Sequence, residues 1–388
     1  MGRGLTPAVE DYLGRRARVY GGERAVLAHV LPPGEDGTEH LAELASLART
    51  AGVAVLATVA QHRPRPHPAT FLGPGKAVEI RDQARGLGAD TLVLGAEVSP
   101  AQARNLEERT GLKVVDRSQL ILDIFAQHAG TREAALAVEL AQLEYLLPRL
   151  RGWGQALTDP GGGIGTSGPG ETRLEQGRRV VRRRIQAVRR ELAKVARDRE
   201  VQAARRRRAG PPLVAIVGYT NSGKSTLFNR LTGADVLVED KLFATLDTRV
   251  RRLNLPRGAA LLVDTVGFIR ELPHALVPAF QATLGAVRDA AALLVVLDAS
   301  APAASDHLRV VRAVVAEVLG PGTPFPPCLH VLNKLDLVST PEAQGRFEAL
   351  RLEAQPHVAV SAKTGTNLPA LLDALQALLV GSPVSVAG

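Results

Sequence analysis

The residues Gly218-Tyr219-Thr220-Asn221-Ser222-Gly223-Lys224-Ser225 form a GxxxxGK[ST] loop. That spacing is made for phosphate. The glycines let backbone N–H groups wrap a β-phosphate, and the helix that follows adds the positive end of its dipole. Lys224 is placed to reach β- and γ-oxygens, and the Ser225 hydroxyl to ligate Mg²⁺. Asp264-Thr265-Val266-Gly267 supplies an acid that holds Mg²⁺ through its water shell, and a Gly267 N–H for the γ-phosphate. Loss of that phosphate would then release the loop that follows. Phe243-Ala244-Thr245-Leu246-Asp247 lies where switch I belongs, with Thr245 and Thr248 both available as a second Mg²⁺ ligand. Asn333-Lys334-Leu335-Asp336 can read a base: a carboxylate at Asp336 accepts from N1–H and the 2-amino group of guanine, a donor pair adenine lacks. Asn333 can bond the base edge or the phosphate loop, and the Lys334 stem can cover the base plane. Ser361-Ala362-Lys363 places backbone N–H groups near guanine O6.

Each short motif is weak alone, and a turn is the ordinary reading of Asp-x-x-Gly. All of them in this order, each at the end of an apolar strand, point to a GTPase that binds GTP and GDP with Mg²⁺. Lys224 and Gly267 are candidate catalytic residues, joined by a switch I threonine, Thr245 or Thr248. Phe268 stands where Ras-like GTPases carry the glutamine that orients the attacking water. A phenyl ring cannot do this, so hydrolysis should be slow alone and a partner should supply the positioning.

The elements that must hold these motifs are strands Leu213–Val217, Arg249–Leu255, Ala260–Val263, Leu293–Leu297, Leu329–Leu332 and Val358–Val360, with helical stretches between them. This is the doubly wound α/β pattern, whose ligands sit at the carboxyl ends of the strands. It gives a G domain over 209–388, set off by Gly210-Pro211-Pro212. An N-terminal region, 1–130, alternates strands (Arg24–Leu31, Val53–Val59, Thr91–Leu94, Lys113–Val115) with helices (Leu41–Ala51, Lys76–Leu87, Ser99–Thr110). It predicts a small parallel α/β domain with no catalytic constellation of its own.

Between them, 131–208 has another logic. Leu136, Leu140, Leu143, Leu147 and Leu150 are spaced 4-3-4-3, and Val181, Ile185, Val188, Leu192 and Val195 repeat the spacing. Two such seams predict a coiled-coil-like helical hairpin, its first helix ended or kinked near Pro148. Its tip, 151–170, holds eight glycines and Trp153, the sole tryptophan. Glu171 to Arg208 carries 14 Arg and one Lys against five carboxylates, a surplus larger than the +9 of the whole chain. A charge run is usually a solvated helix face. This one is too one-sided for salt-bridge lacing, so RNA is the expected partner, met through phosphates because aromatic residues are few.

Composition narrows the rest. Apolar residues are 45% of the chain, with no uninterrupted run of the ~18 residues that a spanning helix needs. The N-terminus has no apolar segment of a secretory signal, and the myristoylation-like Met1, Gly2 and Thr6 read as coincidence. One cysteine, Cys328, excludes an internal disulfide and a cysteine-rich metal site. Of seven lysines, Lys224, Lys334 and Lys363 fall inside the nucleotide motifs.

These motifs, with Gly161-Gly-Gly-Ile-Gly-Thr-Ser-Gly-Pro-Gly-Glu-Thr-Arg-Leu-Glu175, Asp123-Ile-Phe-Ala-Gln127 and Glu139-Leu-Ala-Gln-Leu-Glu-Tyr-Leu-Leu-Pro-Arg149, resemble the HflX family of ribosome-associated GTPases. The resemblance runs from about Gly52 to Leu379. It implies Mg²⁺ on Ser225 and Thr245, and makes Phe268 part of the family pattern. It also implies binding to the large ribosomal subunit and its rRNA through 151–208, near the peptidyl-transferase centre, with GTP-dependent splitting of stalled or idle ribosomes. The alternatives are a GTPase of large-subunit assembly, and a GTP switch whose basic helix binds anionic membrane. A cytoplasmic monomer is expected, with no stable membrane association and at most a peripheral membrane fraction.

Overall fold

The computed structural model describes residues 22–150, 169–233, 242–243, 249–270 and 285–381. The first part runs β1 (Arg24–Leu31), α1 (Thr38–Thr50), β2 (Ala54–His62), α2 (Pro74–Leu87), β3 (Thr91–Leu94), α3 (Pro100–Thr110), β4 (Lys113–Val115) and α4 (Arg117–His128). Its strands form one parallel sheet in the order β2-β1-β3-β4. β1 and β3 lie inside it and are almost wholly buried, so they read in the sequence as unbroken apolar runs. Helix α3 starts where its cap dictates. Ser99 Oγ accepts from the Gln102 N–H at 3.2 Å and Gln102 Oε1 from the Ser99 N–H at 2.9 Å, with Pro100 at the first helical position. Such a cap contributes about 1 kcal/mol.

Helix α4 has no counterpart among the elements expected from the sequence. Arg117 through Phe125 are all buried, so it lacks the polar face whose period would reveal it. Asp116 caps it, accepting the Gln119 N–H at 2.9 Å. The same carboxylate, 2% exposed, accepts from Tyr145 Oη at 2.8 Å, from Arg149 Nη2 at 2.8 Å and from the Val98 N–H at 3.3 Å. Burial raises its pKa above the ordinary carboxylate value, while Arg149 and the hydrogen bonds pull it down.

Arg149 and Tyr145 belong to α5 (Arg132–Arg149), which pairs with the long helix α6 (Pro169–Ala209). Leu136, Leu140, Leu143, Leu146 and Leu150 pack against Val181, Ile185 and Val188, with Leu147 and Leu192 at the margin. The heptad positions except Val195 therefore make the seam, with Leu146 added. Ion pairs Glu139–Arg184 at 2.6 Å and Glu144–Arg189 at 2.7 Å flank it. Pro148 falls in the last turn of α5, which ends one residue later. Of the tip expected over 151–170, residues 151–168, with Trp153, lie outside the described residues, and Pro169 and Gly170 already belong to α6.

The chain divides into two compact units. One gathers the first sheet and the paired helices through Ala193, and the other takes 128–134, 194–272 and 280–388. The second is built from β5 (Leu213–Gly218), α7 (Lys224–Thr232), β6 (Arg249–Leu255), β7 (Gly258–Asp264), β8 (Ala292–Asp298), α8 (Ala304–Leu319), β9 (Cys328–Asn333), α9 (Pro341–Glu353), β10 (His357–Ala359) and α10 (Leu368–Val380). The sheet order is β10-β9-β8-β5-β7-β6, parallel except for β6, which pairs antiparallel with β7. Val214, Ile216, Leu227, Phe228, Leu294, Val296, Val331 and Leu371 lie in its core. Each such side chain contributes roughly 1.5–3 kcal/mol by leaving water, so the frame that fixes the strand ends is firm.

Candidate functional site

Register places the chemistry. Gly218 ends β5 opposite Val296 of β8, Asp264 of β7 pairs with Ile216, and Asp298 of β8 pairs with Asn333 of β9. The strand ends therefore form one rim, the position that ligands take in open α/β sheets.

Leaving β5, the chain turns through Tyr219–Gly223 and enters α7 at Lys224. A side chain at Gly218 would strike the Val296 carbonyl. Asn221 (φ 58°) and Gly223 (φ 89°) curl the backbone, and a Cβ on Gly223 would strike Asn333 Nδ2. Ser222 Oγ is buried with no hydrogen-bond partner among the described residues. Lys224 folds back so that Nζ donates to the Tyr219 carbonyl at 2.7 Å. Burial lowers its pKa from 10.5 to about 8; Asp264 opposes the fall and Lys334 adds to it. A buried ammonium, an orphaned buried hydroxyl and a helix N-terminus meeting on one curled loop are a fit for a polyphosphate.

Ser225 Oγ donates to Asp264 Oδ2 at 2.9 Å, so a hydroxyl and an acid adjoin beside the loop. Hard oxygen donors of this kind suit Mg²⁺. Thr265 Oγ1 donates to the Ile216 carbonyl at 2.6 Å, pinning the end of β7, and Val266 is buried. Gly267 then crosses the phosphate loop so closely that a Cβ would lie 2.9 Å from Thr220 Cα and 3.0 Å from Lys224 Nζ.

Phe268 is stitched to the loop by its backbone. Its N–H donates to the Gly218 carbonyl at 3.0 Å, and its carbonyl accepts the Thr220 N–H at 2.7 Å. Its ring is buried, 1% exposed. Two residues on, the Arg270 N–H donates to Tyr219 Oη at 3.0 Å. The Tyr219 ring stacks on His307 of α8 with centroids 3.8 Å apart, and Arg270 approaches Asp306 at 3.5 Å. Nothing in the sequence links Tyr219 to His307, because the two rings meet only once α8 packs beside the loop.

At the other end, Asn333 is 2% exposed and joins two loops. Its Nδ2 donates to the Ser222 carbonyl at 2.9 Å, and its Oδ1 accepts the Ala362 N–H at 2.9 Å. Of the two roles open to Asn333, this structure uses the phosphate loop. One backbone N–H expected beside guanine O6, that of Ala362, is engaged by Asn333 instead. Lys334 takes a left-handed backbone (φ 63°) and its Nζ meets Asp298 Oδ2 at 2.8 Å. The Leu335 N–H donates to the Val360 carbonyl at 3.1 Å, and Asp336 Oδ1 accepts from Ser361 Oγ at 2.6 Å. Lys363 is exposed. Phe243 is buried with a positive φ of 60°. Ala244, Thr245, Leu246, Asp247 and Thr248 lie outside the described residues. The remaining site residues converge on the rim: Gly218 to Ser225, Asp264 to Gly267, Asn333 to Asp336, and Ser361 to Lys363.

Three family models match the chain in sequence: a GTP-binding GTPase N-terminal region over residues 38–126, a GTP-binding GTPase middle region over 128–206, and a 50S ribosome-binding GTPase over 213–334. The GTPase HflX of Escherichia coli (strain K12) is 44% identical over 362 residues, 93% of this chain and 84% of that one. The GTPase HflX of Caldanaerobacter subterraneus subsp. tengcongensis is 45% identical over 356 residues, 91% of this chain and 80% of that one. Among solved structures, the complex of SsGBP with GDP is similar at 27% identity and a TM-score of 0.52, covering 92% of this chain and 99% of that one.

Proposed function

Since the chain belongs to the HflX family of GTPases, ribosome-associated proteins that bind and hydrolyse GTP, we propose that it binds the large ribosomal subunit and uses GTP to split stalled or idle ribosomes. The observation that carries this reading is the state of Phe268. Its ring is buried and its backbone is stitched to Gly218 and Thr220. A phenyl ring has no group that can orient a water, so the timing of hydrolysis passes to a partner.

The rest of the site has defined tasks. Lys224 and the curled loop take the β- and γ-phosphates, and Asp336 reads guanine through N1–H and the 2-amino group. Asn333 fixes the phosphate loop and the Ser361–Lys363 loop in one geometry. Gly267, without a side chain, lets its N–H approach the γ-phosphate. Ser225 and Thr245 would ligate Mg²⁺, with Asp264 behind its water shell; the ion would neutralise charge on the phosphate oxygens.

The partner side rests on α6. Arg179, Arg182, Arg183, Arg190 and Arg197 are exposed, whereas Arg184 and Arg189 are paired with Glu139 and Glu144 across the seam. An exposed arginine face suits rRNA phosphates. The division into 1–130, 131–208 and 209–388 is accordingly a division of labour, in which the middle part meets rRNA and the last part times release. No helix among the described residues is long and apolar enough to cross a membrane. The protein is proposed to act as a cytoplasmic monomer.

Sucrose-gradient profiles test the reading. Purified 70S ribosomes with this protein and GTP should resolve into 30S and 50S peaks. If 70S particles persist while subunit precursors retain the protein, it acts in assembly instead. Binding to anionic vesicles with hydrolysis indifferent to ribosomes would move the basic helix to a membrane.

A further inference from the structure

Arg230 lies on α7, six residues beyond Lys224 and outside every nucleotide motif. Its guanidinium donates from Nε to the Ala362 carbonyl at 3.2 Å and from Nη2 to the Lys363 carbonyl at 2.7 Å. Two successive carbonyls of the Ser361–Lys363 loop are thus held by one planar fork, a match that a lysine could not reproduce.

The consequence follows from peptide geometry. In a trans peptide the C=O and the next residue's N–H point in opposite directions. Holding the Ala362 carbonyl against α7 turns the Lys363 N–H away from α7. Holding the Lys363 carbonyl likewise turns the Thr364 N–H, which reaches Ser361 Oγ at 3.1 Å, and that hydroxyl donates to Asp336 Oδ1 at 2.6 Å. The side away from Arg230 is therefore the side that carries Asp336. Because the Ala362 N–H is already taken by Asn333 at 2.9 Å, the Lys363 N–H is the donor of this pair left for a base.

We propose that Arg230 is a guanine-specificity positioning residue: its grip on the Ala362 and Lys363 carbonyls aims the Lys363 N–H at O6 of guanine. The inference rests on reading Asp336 as the guanine acceptor. Arg230 is not needed to hold α7 in place. Leu227 and Phe228, 0% and 1% exposed, anchor that helix in the core, while Arg230 itself is exposed.

The test measures equilibrium binding of GDP and 6-thio-GDP to the full-length protein. The two share N1–H and the 2-amino group and differ in the acceptor at position 6. The wild-type protein should prefer GDP. In Arg230→Met that preference should shrink by about fivefold to tenfold, the scale of one hydrogen bond, at an unchanged melting temperature. Arg230→Lys, able to hold one carbonyl, should fall between. A GDP preference in Arg230→Met equal to that of the wild type overturns the proposal, whether or not both affinities fall together. Asp336→Asn is run alongside and should exchange guanosine for xanthosine diphosphate. Failure of that exchange removes the base-site reading itself, whereas failure confined to the Arg230 variants removes the clamp alone.

Discussion

Raising the pH should weaken nucleotide binding through Lys224. The residue is 7% exposed, and burial lowers its pKa from 10.5 to about 8. A bound polyphosphate sets anionic oxygens beside Nζ and keeps the proton there, so the pKa in the complex lies well above that of the open loop. Above pH 8, therefore, binding must take up a proton, and the apparent Kd rises as the pH rises through that value. With a pKa near 8, the protonated fraction drops from about nine-tenths at pH 7 to about one-tenth at pH 9, a loss of about tenfold in affinity or about 1.4 kcal/mol. Stability of the nucleotide-free protein should move the other way. The unfolded lysine keeps its proton up to 10.5 and the folded one loses it near 8, so stability should rise between those values, by up to about 3 kcal/mol. A fluorescent-GDP titration at constant ionic strength reads the first effect. Lys224→Arg stays charged throughout and should bind weakly with a shallower pH dependence. Guanine loses its own N1 proton in alkaline solution, but equally for both proteins, so the difference in slope reports the lysine. Identical slopes for the two proteins would refute the assignment.

Asn333→Ala should leave the Ser222 carbonyl and the Ala362 N–H without their partner. At about 1–3 kcal/mol for such a loss, GDP should dissociate about 10–100-fold faster in stopped flow. Arg149→Met should strand the buried Asp116 carboxylate and cost about 3–5 kcal/mol. The denaturant midpoint of the N-terminal unit reads that loss, and adding Asp116→Asn should restore part of it. Replacing Arg179, Arg183 and Arg190 with Gln should weaken 50S binding and flatten its log–log salt dependence, by about 0.7–0.9 for each phosphate no longer neutralised. Pelleting across a potassium chloride series measures that slope.

Elements with a period or a punctuation mark were legible in the sequence. β1, β3 and β4 begin and end where their apolar runs do, and Ser99-Pro100 marks the start of α3. The seam of α5 and α6 was visible as heptads. What stayed hidden lacked a periodic signature or depended on tertiary proximity. Helix α4 is buried on every side, so no apolar stripe set it apart. The bonds of Asp116 to Arg149 and Tyr145 join residues 29 or more positions apart, so no local pattern announces them. In the nucleotide site the motifs gave residue types and order, not their internal commitments. That Asn333 binds the phosphate loop, that Lys334 meets Asp298, and that Arg230 grips Ala362 and Lys363 follow from strand ends brought together by the sheet.

On the proposed function, this GTPase waits for the large ribosomal subunit because the Phe268 ring leaves the attacking water unpositioned. Steady-state GTP hydrolysis, measured for the protein alone and with purified 30S or 50S subunits, tests it most directly. Turnover should be slow alone, unmoved by 30S subunits, and raised by 50S subunits by on the order of a hundredfold, the scale of positioning a reacting group. Fast turnover by the isolated protein, unchanged by either subunit, would contradict it.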